Sequence, residues 1–249
     1  MAYDIPATSR TPALIIYVID ISGSMDDMLD GQKKIDHVNQ AMRKIFQKMV
    51  QRSTKGEIVS PRYRLALIAY SDTPINVLNG VETITDVVRR GRPMFAAQSA
   101  TNTGAAFKLA RDILKAEMVN QQGRPAPMVC HLTDGDFDGD DPEPVAAEIM
   151  AMETGDGNVL LENIYVGGGL LVSPIKSVEK WPGIQSVAEI KDPYAKRLFR
   201  MSSPLPATYC ENTEKEGYAL KAGSRMLLPC SNRALIELAF AASGATPTR

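Results

Sequence analysis

The chain has 249 residues, room for one large α/β domain or for a domain with an appendage. Its 28 basic and 29 acidic side chains leave a net charge of −1, which argues against bulk attraction to nucleic acid. No run approaches the ~18 apolar residues of a membrane-spanning helix. The three cysteines, odd in number and irregularly spaced, do not read as a disulfide framework.

Met1 to Thr11 is polar and reads as a flexible arm without the apolar core of a secretion signal, so a cytoplasmic protein with reduced Cys210 and Cys230 is expected. Ala13 to Ile19 is continuously apolar, the pattern of a strand covered on both faces. Asp30 suits a helix cap, and Lys33 to Val50 follows with Ile35, Val38, Met42, Ile45 and Met49 at spacings of three and four. Lys33, Lys34, Arg43, Lys44 and Lys48 then form a solvated face, with His37 exposed. Tyr63 to Ser71 is a second strand, and Ile75 to Leu78 a short edge strand turning back through Asn79-Gly80. Helices are expected over Thr85 to Arg90, Gly104 to Met118 and Pro144 to Thr154, and strands over Met128 to Thr133 and Asn158 to Val166.

Strands alternating with helices imply a mainly parallel sheet with helices on both faces. Right-handed crossovers would bring loops distant in sequence to one edge of that sheet. Beyond Gly169 the pattern weakens. Ile184 to Ile190 is read as the last sheet strand, Pro193 to Met201 as a helix, Tyr218 to Leu228 as a hairpin near Gly223, and Asn232 to Ala242 as a closing helix. The expected organisation is an arm (1–11), one domain (12–203) and a C-terminal extension packed on or appended to it (204–249).

Three of the strand-end loops carry the chemistry. Asp20-Ile21-Ser22-Gly23-Ser24 presents one carboxylate and two hydroxyls directly after the first strand. Such oxygen donors suit a hard divalent cation, at the strand ends where open α/β sheets place ligands. The companions are Ala100-Thr101-Asn102-Thr103-Gly104, before a helix, and Val129 to Gly135, an apolar strand ending in Thr133-Asp134-Gly135.

Together these segments resemble the metal-ion-dependent adhesion site of von Willebrand factor type A domains, from about Ala13 to about Val166. The resemblance implies a Rossmann-like three-layer α/β sandwich with one short antiparallel edge strand. It implies metal ligation by Asp20, Ser22, Ser24, Thr101 and Asp134, with Thr101 chosen because the family usually uses the first Thr of a T-x-T-G pair. Mg²⁺ is the expected ion, with Mn²⁺ or Ca²⁺ as alternatives. The implied function is a protein-interaction module without catalysis, whose partner protein supplies a carboxylate to the metal. Bacterial stand-alone type A proteins of tellurite and stress-resistance systems are similar in length.

Other readings compete. A strand-terminal Asp also suits a phosphohydrolase of the haloacid dehalogenase type, but that chemistry wants a second Asp where Ser22 stands. A scaffold with a purely structural metal is a further alternative. Asp134, Asp136, Asp138 and Gly139 match the first half of a Ca²⁺ loop, yet Val145 stands where the bidentate Glu belongs. That stretch then reads as a solvated acidic loop, a weaker second cation site or an acidic docking face. Asp27 is placed comparably to residues that hold an adjacent second metal in integrin β-type relatives. Two histidines and scattered cysteines lack zinc spacing.

Overall fold

The computed structural model describes residues 3–243 except 136 and 138, together with 246 and 247; for residues 233 and 240 only the backbone is described. The Ca²⁺-loop reading of Asp136 and Asp138 therefore lies outside the described residues.

The central sheet is built around β1 (Ala13–Asp20), every residue of which is buried. Its neighbours are β2 (Tyr63–Tyr70) on one side and β5 (Met128–Thr133) on the other, both parallel to it. Beyond β5 come β6 (Leu160–Tyr165) and β7 (Leu227–Pro229), also parallel. On the opposite side two short segments, β3 (Pro74–Asn76) and β4 (Glu82–Thr83), pair antiparallel with β2. The order is thus β7-β6-β5-β1-β2-β3, the mainly parallel sheet that the alternation of elements implies, with the short antiparallel edge expected from the resemblance.

Why β1 has no polar side becomes clear from its two faces. Ile15, Tyr17 and Ile19 pack with Val38, Met42 and Ile45 of α1 (Lys34–Ser53), with Ile84 and Val87 of α2 (Ile84–Arg90) and with Leu235, Leu238 and Ala239 of the C-terminal helix, Arg233–Ser243. Leu14, Ile16 and Val18 pack with Ala106, Phe107 and Ala110 of α3 (Thr103–Glu117) and with Val145 and Ile149 of α4 (Glu143–Ala151). Each large apolar side chain buried in this way contributes on the order of 1.5–3 kcal/mol. Helices therefore cover both faces, leaving the strand ends as the accessible edge.

Several local expectations are corrected. Asp30 does not cap α1. It has φ of 50° and, with Gly31 at 81°, turns a small hairpin pairing Met28–Leu29 with Gln32–Lys33. That hairpin places the Leu29 carbonyl 2.7 Å from His37 Nε2, so His37 is buried rather than exposed. Ile184 to Ile190 is not a strand. Ser186 accepts from the Ala188 N–H while Glu189 reaches back to the Ser186 N–H, a capping box that closes a short 3₁₀ turn, Val187–Glu189.

The remaining sheet position goes to β7, reached through α5 (Pro193–Arg200) and α6 (Ala207–Glu214). The C-terminal helix is then α7. It packs on α1, and the Lys44–Glu237 ion pair joins the two. All three cysteines are free, with Cys130 and Cys230 buried. No helix among the described residues is long and apolar enough to cross a membrane.

The N-terminal residues are held by Asp156, which is 5 % exposed. Its Oδ1 accepts from the N–H groups of Asp4 and Ile5, each at 3.0 Å, and its Oδ2 from Ala126 N–H at 3.0 Å. Substituting Asp156→Ala leaves three backbone donors to find water. We expect a loss of about 3 kcal/mol, read as a lower denaturant midpoint in chemical unfolding with an unchanged slope.

Candidate metal centre

The parallel strands point their carboxyl ends one way, so Asp20 at the end of β1, Ser71 after β2 and Asp134 after β5 share one edge. The β1 loop folds back at once. Asp20 Oδ1 accepts from the Ser22 N–H at 2.8 Å, and a short 3₁₀ turn over Gly23–Asp26 follows. This brings Ser22 Oγ to 3.2 Å from Ser24 Oγ. Ser24 Oγ in turn donates to Asp134 Oδ1 at 2.9 Å. Four of the five expected ligand residues, Asp20, Ser22, Ser24 and Asp134, are therefore joined by consecutive hydrogen bonds, the first through the Ser22 backbone N–H and the next two between side-chain oxygens.

Thr101 sits on the neighbouring loop, half-buried and without a side-chain hydrogen bond among the described residues. That loop is pinned to the first. Gln98 N–H donates to the Ile21 carbonyl at 2.6 Å, and Asn102 N–H to the Ser71 carbonyl at 2.7 Å. Gly104 fits the third loop against it, since a Cβ there would lie 2.3 Å from the Asp140 carbonyl oxygen. Thr103, the second Thr of the T-x-T-G pair, is fully buried and its Oγ1 donates to the Tyr70 hydroxyl at 3.3 Å.

A buried polar row lies beneath this edge. Asn163 Nδ2 donates to the Met201 carbonyl at 3.1 Å and to Ser202 Oγ at 2.9 Å, which leaves its Oδ1 to accept from His131 Nδ1 at 2.8 Å. His131 Nε2 then accepts from the Tyr70 hydroxyl at 2.7 Å. Burial pushes His131 down to about 4, so the ring is neutral.

Electrostatics mark Asp20 as the unusual member. Burial pushes its carboxyl up to about 6, against the opposing hydrogen bonds from Ser22 and Thr133 and with a further push from the Asp134 charge. Two residues of the site were not singled out from sequence. Thr133 Oγ1 donates to Asp20 Oδ2 at 2.9 Å, and Lys34 Nζ lies 2.7 Å from Asp134 Oδ2. Thr133 precedes Asp134 in a strand and so looks like a β-branched core residue. Lys34 is one lysine among several at the start of α1. Its side chain is 14 % exposed, not the solvated group its helical position suggested.

The acidic stretch after Asp134 draws its counter-charges from elsewhere. Asp140 pairs with Lys108, and Asp141 with Arg197 at 2.6 Å. Asp27 is exposed and lies 3.4 Å from Lys34 Nζ. Among the described residues no three His, Cys, Asp or Glu side chains converge on a point. The donor set at the edge is two carboxylates with hydroxyls. Oxygen-only donors of mixed charge fit a hard divalent cation, and the ammonium of Lys34 among them shows that the pocket favours positive charge.

Comparisons with known proteins bear on the fold. Residues 15–136 match the family model of the von Willebrand factor type A domain. No curated protein matches the sequence. Among solved structures, proximal thread matrix protein 1 from the mussel byssus is 14% identical, with a TM-score of 0.53 over 95% of this chain and 47% of its own. A second structure of that protein, described as having a zinc occupied MIDAS motif, gives 16% identity and a TM-score of 0.53, covering 92% and 46%. A D319A mutant of the PilB minor pilin from Streptococcus sanguinis is 11% identical with a TM-score of 0.52, covering 91% and 59%. The chain thus spans about half the length of the mussel protein. The match over residues 15–136 and the whole-chain likeness in fold agree on a von Willebrand factor type A architecture, carried by a Rossmann-like α/β sandwich.

Proposed function

We propose that this protein is a metal-dependent protein-interaction module. Asp20, Ser22, Ser24, Thr101 and Asp134 hold Mg²⁺, with Mn²⁺ or Ca²⁺ as alternatives, and a partner protein's carboxylate completes the coordination. The observation that carries this reading is the run of hydrogen bonds that gathers Asp20, Ser22, Ser24 and Asp134 at the carboxyl edge of the sheet, first through Ser22 N–H and then through side-chain oxygens. Thr101 joins the set because the hydroxyl of Thr103 is committed to Tyr70, whereas that of Thr101 is not. Hydroxyl ligands are neutral, so a divalent ion held by them keeps residual positive charge, for which a carboxylate is the natural partner. Nitrogen and sulfur donors, which zinc prefers, are not part of the set.

Binding rather than phosphoryl transfer is supported by the surroundings of Asp20. One oxygen accepts from Ser22 N–H and the other from Thr133 Oγ1, and Ser22 stands where a general acid would be needed.

The test is calorimetric titration of metal-stripped protein with Mg²⁺, Mn²⁺ and Ca²⁺, beside a Thr101→Ala variant. One saturable site is expected, weakened about tenfold or more in the variant because one oxygen donor is gone. Bound metal should also raise the melting temperature, since a ligand at one hundred times its Kd adds about 2.7 kcal/mol. Absence of both heat and stabilisation with all three ions would sink the proposal.

A further inference from the structure

We propose that Lys34 is a built-in competitor of the metal: its ammonium occupies the ligand cluster in the metal-free protein, and metal binds by displacing it toward Asp27. The inference rests on the metal-binding reading above and adds to it the residue that sets metal affinity.

Lys34 Nζ lies 2.7 Å from Asp134 Oδ2, 3.3 Å from the Ser24 carbonyl and 3.4 Å from Asp27 Oδ2. Two of these three partners belong to residues of the metal set. The other oxygen of Asp134 already accepts from Ser24 Oγ at 2.9 Å, so both oxygens of this carboxylate are engaged. The Asp134 side chain is 2 % exposed, so the pair is sequestered at the Asp134 end and open at the Asp27 end, where exposure is 68 %. The adjacent Lys33 behaves differently. Its ammonium pairs with Asp26 on the surface, at 48 % and 54 % exposure, and touches none of the ligand residues.

An ammonium is a compact point charge on a flexible four-carbon stem, and here it takes oxygen partners as a metal ion does. It carries one positive charge where a divalent ion carries two. Two cations around the same carboxylate repel, so an arriving metal weakens the hold of Lys34 on Asp134. Asp27, exposed and already near the ammonium, receives it through side-chain rotation alone. The apparent metal affinity is then the intrinsic one divided by the occupancy advantage of Lys34. In return, the metal-free protein never leaves the buried Asp134 charge unpaired.

The experiment compares the parent with Lys34→Met in calorimetric titrations with Mg²⁺ and Mn²⁺. We expect the variant to bind about tenfold more tightly or better. Equal or weaker binding by the variant overturns the role of Lys34 and leaves the metal site standing. No binding by either protein overturns both. A second measurement needs no substitution: amine acetylation of the parent, read by mass spectrometry, in saturating Mn²⁺ against EDTA. Lys34 labelling is expected to rise several-fold with Mn²⁺ while Lys33 stays constant. Unchanged Lys34 labelling in protein that calorimetry shows to be metal-saturated overturns the competition, even if the Met variant does not fold.

Discussion

Replacing Asp20 with Asn is expected to abolish metal binding while leaving the metal-free protein at least as stable as its parent. Asp20 is 1 % exposed, and burial holds its carboxyl at about 6, above the ordinary carboxylate range. The folded state therefore holds this proton more tightly than the unfolded chain. Stability from Asp20 is fully present below the ordinary carboxylate pKa and is lost as pH rises through about 6. At neutral pH the loss is complete, roughly 3 kcal/mol at about 1.4 kcal/mol per unit. An amide carries no such penalty. Its oxygen can still accept from Ser22 N–H, and its N–H₂ can donate to Thr133 Oγ1, whose own proton can then go to the Gly135 carbonyl at 3.3 Å.

A gain of roughly 2 kcal/mol at pH 7 in EDTA is therefore expected, allowing for imperfect amide geometry. Metal affinity falls by about a hundredfold or more, because half of the carboxylate charge of the site is removed. Thermal melts in EDTA and calorimetric titrations of parent and D20N check both halves. A variant that melts well below the parent in EDTA would show that Asp20 serves the fold. One that binds metal within a few-fold of the parent would show that it does not serve the site.

The same burial explains which parts of the protein could be read from sequence. Asp20, Ser22 and Ser24 are legible because they are close in the chain and follow a strand whose unbroken apolar run announces that both faces are covered. Asp134 is legible for the same reason at the end of β5. Lys34 is not, because its role depends on a side chain reaching across to a loop 100 residues away, and helical periodicity assigns it to solvent. Neither is Thr133, which has the β-branched character of any strand residue.

Among the described residues after Gly169 the sheet recruits only Leu227–Pro229, three residues ending in a proline, which is too short to show an alternating pattern. Its place is fixed by pairing with β6 and not by local preference. Ile184 to Ile190 shows the converse. Its apolar residues suggest a strand, while Ser186 and Glu189, spaced as a capping box, close a turn instead. The box is a readable signal, and here it outweighs β-propensity because it satisfies backbone donors directly.

A second large effect is expected at Glu162, in the middle of β6. The residue is fully buried, and neither carboxyl oxygen has a nitrogen or oxygen partner among the described residues. Across the strand pair it faces Cys130, and burial drives its carboxyl up to about 8. The neighbouring Cys130, Tyr17 and Tyr209 are likewise pushed upward by burial, so each stays neutral and none supplies a compensating charge. Because the folded state holds the Glu162 proton, its contribution is fully present below the ordinary Glu value. It is lost as pH rises through about 8, at about 1.4 kcal/mol per unit.

His131 works with the opposite sign and in a lower window. Its pKa is depressed to about 4, so its contribution is present above the ordinary His value and is lost as pH falls toward 4. Above pH 6.5 His131 is neutral in the folded protein and loses only its remaining partial charge in the unfolded chain, a small effect, and Asp20 is already largely ionised. Between about pH 6.5 and 8 the slope therefore reports mainly on Glu162. Substituting Glu162→Gln should flatten stability over this window, in EDTA, where the parent declines by roughly 2 kcal/mol. The slope is the decisive quantity, because the Gln amide brings buried donors of its own that shift the whole curve. Chemical denaturation at half-unit intervals of pH measures it. Parallel curves for parent and variant would mean that Glu162 is ionised at neutral pH, with a counter-charge or water reaching it through the edge of the sheet.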